Sequence, residues 1–305
     1  MASSSTNLFE RSLGDLSKPI HRIFRRSNFD LQDHEYDLMR PGLQLASRLI
    51  SPPTPISFWH TIMKRDVREI KYPLHPLGEN VVHYEFFDSP ATLTAPQVRE
   101  VEAALIRIAD ITRFAVDEDD ELSPWCMETC LSEDGSLVST IKIPRAAFRE
   151  MQKAADKSTN NNDEDYSIVT SFMLARTLVH ELAHVVYHLY YGDDEFYYLP
   201  GQAVDEVGFT WEDQVFGGLV NYKVFYRDNL VPSYHAVIHP WPNAHMISKY
   251  LQTGDRIGIR FQHSIALLSC LSMTTATPTS SRMVVAAYPF RIFRDCSPRR
   301  SGLGT

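Results

Sequence analysis

Two histidines four residues apart, His180 and His184, with Glu181 directly after the first, are the residues of this chain best placed to do chemistry. On a helix of 3.6 residues per turn, positions i and i+4 face the same way, so the two imidazoles stand side by side at a separation that one metal ion bridges. A hydrolytic zinc takes three protein ligands and keeps a fourth position for water, whose pKa falls toward about 7 on binding. Glu181 projects beside such an ion rather than onto it. There it can take the water's proton as general base and return it to a leaving amine.

The flanking residues strengthen the pattern. Thr177-Leu178-Val179-His180-Glu181-Leu182-Ala183-His184-Val185-Val186 resembles the extended signature of the zincin metallopeptidases, with uncharged residues between the ligands and a hydrophobic residue last. The resemblance implies an α+β fold: a zincin-like domain with a small mixed sheet and a long active-site helix. It also implies Zn2+ as cofactor and hydrolysis of peptide bonds. The metzincin version needs glycine and histidine where Tyr187 and Tyr190 stand, so it is excluded. His188 continues the same helix face, but three ligands in successive turns of a straight helix spread over about 12 Å and do not converge on one ion. Gly192-Asp193-Asp194 echoes the aspzincin motif only faintly.

The third ligand is expected between residues 204 and 218. That stretch places a glutamate 22 or 28 positions after His184, and both spacings resemble the gluzincin arrangement. Plotted at 100° per residue, Val204, Gly208, Trp211, Val215 and Leu219 share one apolar sector, and Asp205 and Glu212 fall inside it. A carboxylate in a buried face is costly unless paired or metal-bound, which favours Glu212 as the third ligand. Glu206 is the alternative, being nearer the usual gluzincin spacing, and the acid that is not the ligand is expected to orient a ligating histidine. Tyr222, Tyr226, His235 and His239 are available to stabilise an oxyanion.

Several elements must position these groups. A long helix is expected from about Ser167 to Tyr190, its apolar stripe running Ile168, Phe172, Ala175, Val179, Leu182, Val186 and Leu189. A second is expected near Val204 to Leu219. Leu137 to Ile143 reads as a strand, the candidate edge for an extended peptide, and residues 81–87 read as another. Thr94 and Gln97 form a capping box with Pro96 in the first turn, opening a helix that runs to Arg113. A helix follows Pro144 and dissolves into the polar loop DKSTNNNDED. Residues 1–80 read as a helical layer packed on the catalytic domain, with a helix beginning near Pro41, while residues 81–250 form that domain. Residues 251–305 are a tail of uncertain structure.

Composition narrows the partners. A formal charge of −8 over 305 residues does not supply the basic face that nucleic acid requires. No apolar run reaches the roughly 18 residues of a membrane span, and no signal-peptide core opens the chain. A cytoplasmic protein acting on a peptide or protein substrate is the expectation. The four cysteines are too few and too irregular for a disulfide framework. Two further readings stay open, a zincin fold acting on a small molecule and a non-proteolytic metal-binding or interaction protein.

Overall fold

The computed structural model describes residues 19–52, 56–71, 82–86, 90, 92–119, 123–125, 127–131, 137–161, 164–192, 197–198, 206–226 and 232–239. All of them lie in the first of two compact units, Met1–Leu271. The expected C-terminal tail falls outside the described residues.

The N-terminal layer begins with two 3-10 turns, Arg22–Phe24 and Arg26–Asn28. His21 caps the first, its Nδ1 accepting from the Ile23 amide at 3.2 Å. Helix α1 spans Asp33–Leu49, eight residues further upstream than the proline suggested, because Gln32 and Glu35 form a capping box that nucleates it. Pro41 therefore sits in the helix interior. Its neighbour Gly42 serves packing, since a Cβ there would meet Leu174 Cδ2 at 2.6 Å. Helix α2 follows at Ile56–Lys64.

Strand β1 (Val67–Lys71) pairs antiparallel with β2 (Val82–Phe86), which runs parallel to the two-residue β6 (Tyr197–Tyr198). Helix α3 (Ala95–Ile111) opens at the expected box, the Thr94 amide donating to Gln97 Oε1 at 2.9 Å. It stops two residues short of Arg113, where Thr112 starts β3 (Thr112–Asp117).

The second sheet, built from β3, β4 (Glu128–Leu131) and β5 (Ser139–Pro144), has the order β3-β5-β4. β5 runs parallel to β3 and antiparallel to β4. This corrects the sequence reading: the strand expected to be the peptide-accepting edge is central, with both sides hydrogen-bonded, and β4 is the end strand among the described residues. Helix α4 (Arg145–Asn161) runs through part of the expected polar loop. A hairpin of β7 (Leu219–Tyr226) and β8 (Pro232–His239) closes the described chain.

Helix α5 (Glu164–Tyr191) passes through the centre. Leu178, Val179, Leu182, Ala183, Val185 and Val186 are all fully buried, so the helix is enclosed on several faces rather than along one stripe. One hydrophobic cluster joins Ile23 and Phe24 of the N-terminal layer to Ile141 of β5, Leu182 of α5 and Val220 of β7. The N-terminal layer is thus part of the core that holds α5. The whole is a mixed α+β fold with six α-helices among the described residues, counting α6 (Val207–Phe216). None of the described helices is long and apolar enough to cross a membrane.

Candidate metal centre

Along α5, His180 and His184 stand one turn apart with ring centroids 5.3 Å from each other, as the i, i+4 spacing requires. His180 is buried and His184 partly so. Beside their Nε2 atoms lies Glu206, the N-cap residue of α6. Its Oε1 sits 2.5 Å from His184 Nε2 and 3.5 Å from His180 Nε2. Donor atoms of these three residues lie within 4.8 Å of one another, the one such group among the described residues.

Three donors about 2.1 Å from one tetrahedral ion stand about 3.4 Å apart. The His180–Glu206 separation already has that value, and the His184–Glu206 separation is that of a hydrogen bond. Two histidines and a carboxylate are also a donor set that zinc accepts. The residues therefore fit the group that the sequence suggests.

Glu206 owes its place to the start of α6. The Gly208 and Phe209 amides both donate to its carboxylate, at 3.2 and 2.5 Å. The helix N-terminus thus holds the carboxylate in place and favours its charge. Burial pushes the Glu206 carboxyl up, but His180, His184 and the Phe209 amide outweigh it and bring the group down to about 2. His180 is shifted the other way. Burial disfavours its imidazolium, yet Glu206 and Glu212 together raise it above the ordinary histidine value.

Glu212, favoured as third ligand from its place on the apolar face of α6, does not join the Nε2 side. It is fully buried on the opposite edge of His180, where Nδ1 lies 2.7 Å from Glu212 Oε1. Arg176, one turn before His180 on α5, forms an ion pair with the same oxygen, and the Val220 amide donates to Oε2 at 2.9 Å. The costly buried carboxylate is thus satisfied by an arginine and an amide, and it needs no metal. Its contact places a proton on Nδ1, so that the neutral ring has its lone pair on Nε2, on the Glu206 side. Glu206 is thus the acid beside the two Nε2 atoms, and Glu212 the acid on Nδ1 of His180.

Glu181 is buried on the same helix, its Oε1 4.0 Å from His180 Nε2. Its other oxygen accepts from Thr129 Oγ1 of β4 at 2.8 Å. His188 stacks one turn beyond His184 with centroids 6.5 Å apart and stays out of the donor group. Asp193, Asp194 and the side chains of Tyr222, Tyr226, His235 and His239 lie outside the described residues.

Three contributors escaped the sequence reading. Arg176 had a legible signal, a cation at i−4 to His180 on a helix otherwise apolar in that turn. Gly208 had a fainter one, a glycine in the first turn of a helix; a Cβ there would stand 2.5 Å from His180 Nε2 and Cδ2. Thr129 had none, since its strand was not anticipated and it meets Glu181 across 52 positions of chain. Comparison of the chain with protein-family models, curated proteins and solved structures finds no match.

Proposed function

We propose that the chain is a zinc-dependent peptidase in which His180, His184 and Glu206 hold the ion and Glu181 is the general base. The observation that carries this reading is the convergence of two Nε2 atoms and one carboxylate oxygen within 4.8 Å, with a second carboxylate beside them. A bound zinc would supply Lewis acidity and lower the pKa of water at the open position. Glu181 is placed to accept a proton there and pass it to the departing amine. Glu212 and Arg176 orient His180, and Glu206 balances the cation's charge from a helix N-terminus.

Three protein donors rather than four, together with an adjacent carboxylate, favour a reactive site over a structural one, whose sphere is normally closed by four protein ligands. For a peptide substrate the support is β4. Among the described strands β4 has β5 as its one neighbour, and its Thr129 touches Glu181. An extended peptide added to the outer edge of β4 would therefore run past the site.

The test is metal analysis together with hydrolysis of a denatured, fluorescently labelled casein. Purified protein should contain near-stoichiometric zinc, and His184→Ala should lose it. Glu181→Gln should keep the metal while hydrolysis falls about 10²–10⁴-fold. Absence of zinc in the wild type sinks the metal reading. Undiminished hydrolysis by Glu181→Gln sinks the base assignment.

A further inference from the structure

The Glu181 carboxylate stands close enough to the histidine pair to compete for a metal, and one contact holds it back. Thr129 lies on β4 opposite Ile141 of β5. Ile141 is fully buried, and cross-strand partners share a face of the sheet, so Thr129, itself half-buried, lies on the face of the sheet that Ile141 turns to the core. What it places there is a hydroxyl, which donates to Glu181 Oε2 at 2.8 Å and lies 3.2 Å from the carbonyl oxygen of the same residue. Its single proton serves the carboxylate, the stronger acceptor.

The buried carboxylate is thereby tethered at one oxygen, and the other stays 4.0 Å from His180 Nε2. Released from the tether, rotation about the glutamate's own side-chain bonds brings a carboxylate oxygen toward the donor group. A fourth protein donor would close the position that hydrolysis needs open.

We propose that Thr129 is a positioning residue that keeps Glu181 a base by restraining it from becoming a fourth metal ligand. The inference rests on the metal reading of the site and concerns a residue outside the donor group. It carries an unusual signature. Loss of an ordinary structural contact weakens metal binding and activity together, whereas loss of this tether tightens the metal and lowers activity.

The measurement is zinc affinity, by competition with a chromophoric chelator, for wild type, Thr129→Val, Thr129→Ser and the double variant Thr129→Val/Glu181→Gln. Valine keeps the shape and strand preference of threonine without its hydroxyl. Thr129→Val should bind zinc about tenfold more tightly, the scale of a hydrogen bond to a charged group, while casein hydrolysis falls through kcat. Thr129→Ser should restore the wild-type affinity. The double variant should bind no more tightly than Glu181→Gln alone, because the group that moves is gone.

Thr129→Ala repeats the test if valine impairs folding. Equal or weaker zinc binding by a folded Thr129→Val or Thr129→Ala overturns the tether and leaves the metal site standing. A wild type that binds no zinc overturns both.

Discussion

Gly208→Ala is the smallest change that should disable the proposed metal centre from outside its donor set. Gly208 lies in the first turn of α6, against the ring of His180. A Cβ built on it meets His180 Nε2 and Cδ2 at 2.5 Å and Cγ at 2.6 Å, where ordinary van der Waals contact begins at 3.4 Å. Something must move by about 0.9 Å, and a metal site tolerates ligand displacements of only about 0.2 Å. The ring has little freedom to yield, because its far edge is held by Glu212, itself fixed by Arg176 and the Val220 amide. The alternative is retreat of α6, which withdraws Glu206. Either response separates donors that must converge, so zinc affinity should fall about 100-fold, the upper range for loss of an orienting contact.

Stability should change less. Overpacking costs about 1–3 kcal/mol, offset by about 1 kcal/mol of helix propensity gained when alanine replaces glycine. Gly192→Ala is the matched control, since its φ is +69° and nothing lies within 4 Å of the added Cβ. It should lose about 1 kcal/mol or more to backbone strain while binding zinc as the wild type does. Chelator competition and denaturant unfolding of the metal-free proteins read the two quantities separately. If Gly208→Ala binds zinc within twofold of the wild type, the close approach of α6 does not set the ring position and the reasoning fails.

Two further predictions concern protons. His180 holds its proton more tightly than an ordinary histidine because Glu206 and Glu212 face it, so zinc must displace that proton to reach Nε2. Affinity should fall up to about tenfold per pH unit below the raised pKa, and calorimetry in buffers of different ionisation enthalpy should show a proton released on binding; affinity independent of pH between 5.5 and 7.5 would contradict this. His21 has the opposite sign: burial lowers it from 6.5 to about 4, so the folded state binds fewer protons between those values. Its stabilising contribution is complete above about pH 6.5 and declines as pH falls toward 4, amounting to a loss of about 2 kcal/mol at pH 5. His21→Asn retains a capping side chain without the titration, and its urea stability should drop less than that of the wild type between pH 7.5 and 5; an equal drop would refute the assignment.

What the sequence disclosed and what it concealed divide along one physical line. His180, Glu181 and His184 were legible because helical geometry turns a spacing of four into adjacency, and the capping box at Thr94 and Gln97 was legible for the same local reason. Burial of the Glu212 carboxylate called for a partner, and Arg176, a cation on a different helix, supplies one that helical spacing within α6 does not reveal. Glu206 is the N-cap, before the first turn of α6, where a projection at 100° per residue does not apply. Sheet order was beyond reach. That β5 is central follows from pairing with β3 and β4, segments outside its own pattern, and the same non-local pairing hid Thr129.

On the proposed reading, metal binding and docking of one segment are coupled. Glu206 faces Nε2 of His180, Gly208 presses on the ring, and Glu212 holds Nδ1, so a stretch of seven residues encloses a single imidazole on three sides. α6 is only ten residues long, too short to persist by helix propensity alone. Its position depends on Trp211 and Phe216 packing into the core and on the Glu212–Arg176 pair. Undocking of α6 would therefore remove one donor and release the orientation of a second in the same step. A cation that binds only the docked form stabilises that form by mass action, more strongly the further its concentration exceeds its dissociation constant. The buried Arg176–Glu212 pair joins α6 to α5 without an ion, so a bound ion would add its binding energy to a contact already formed.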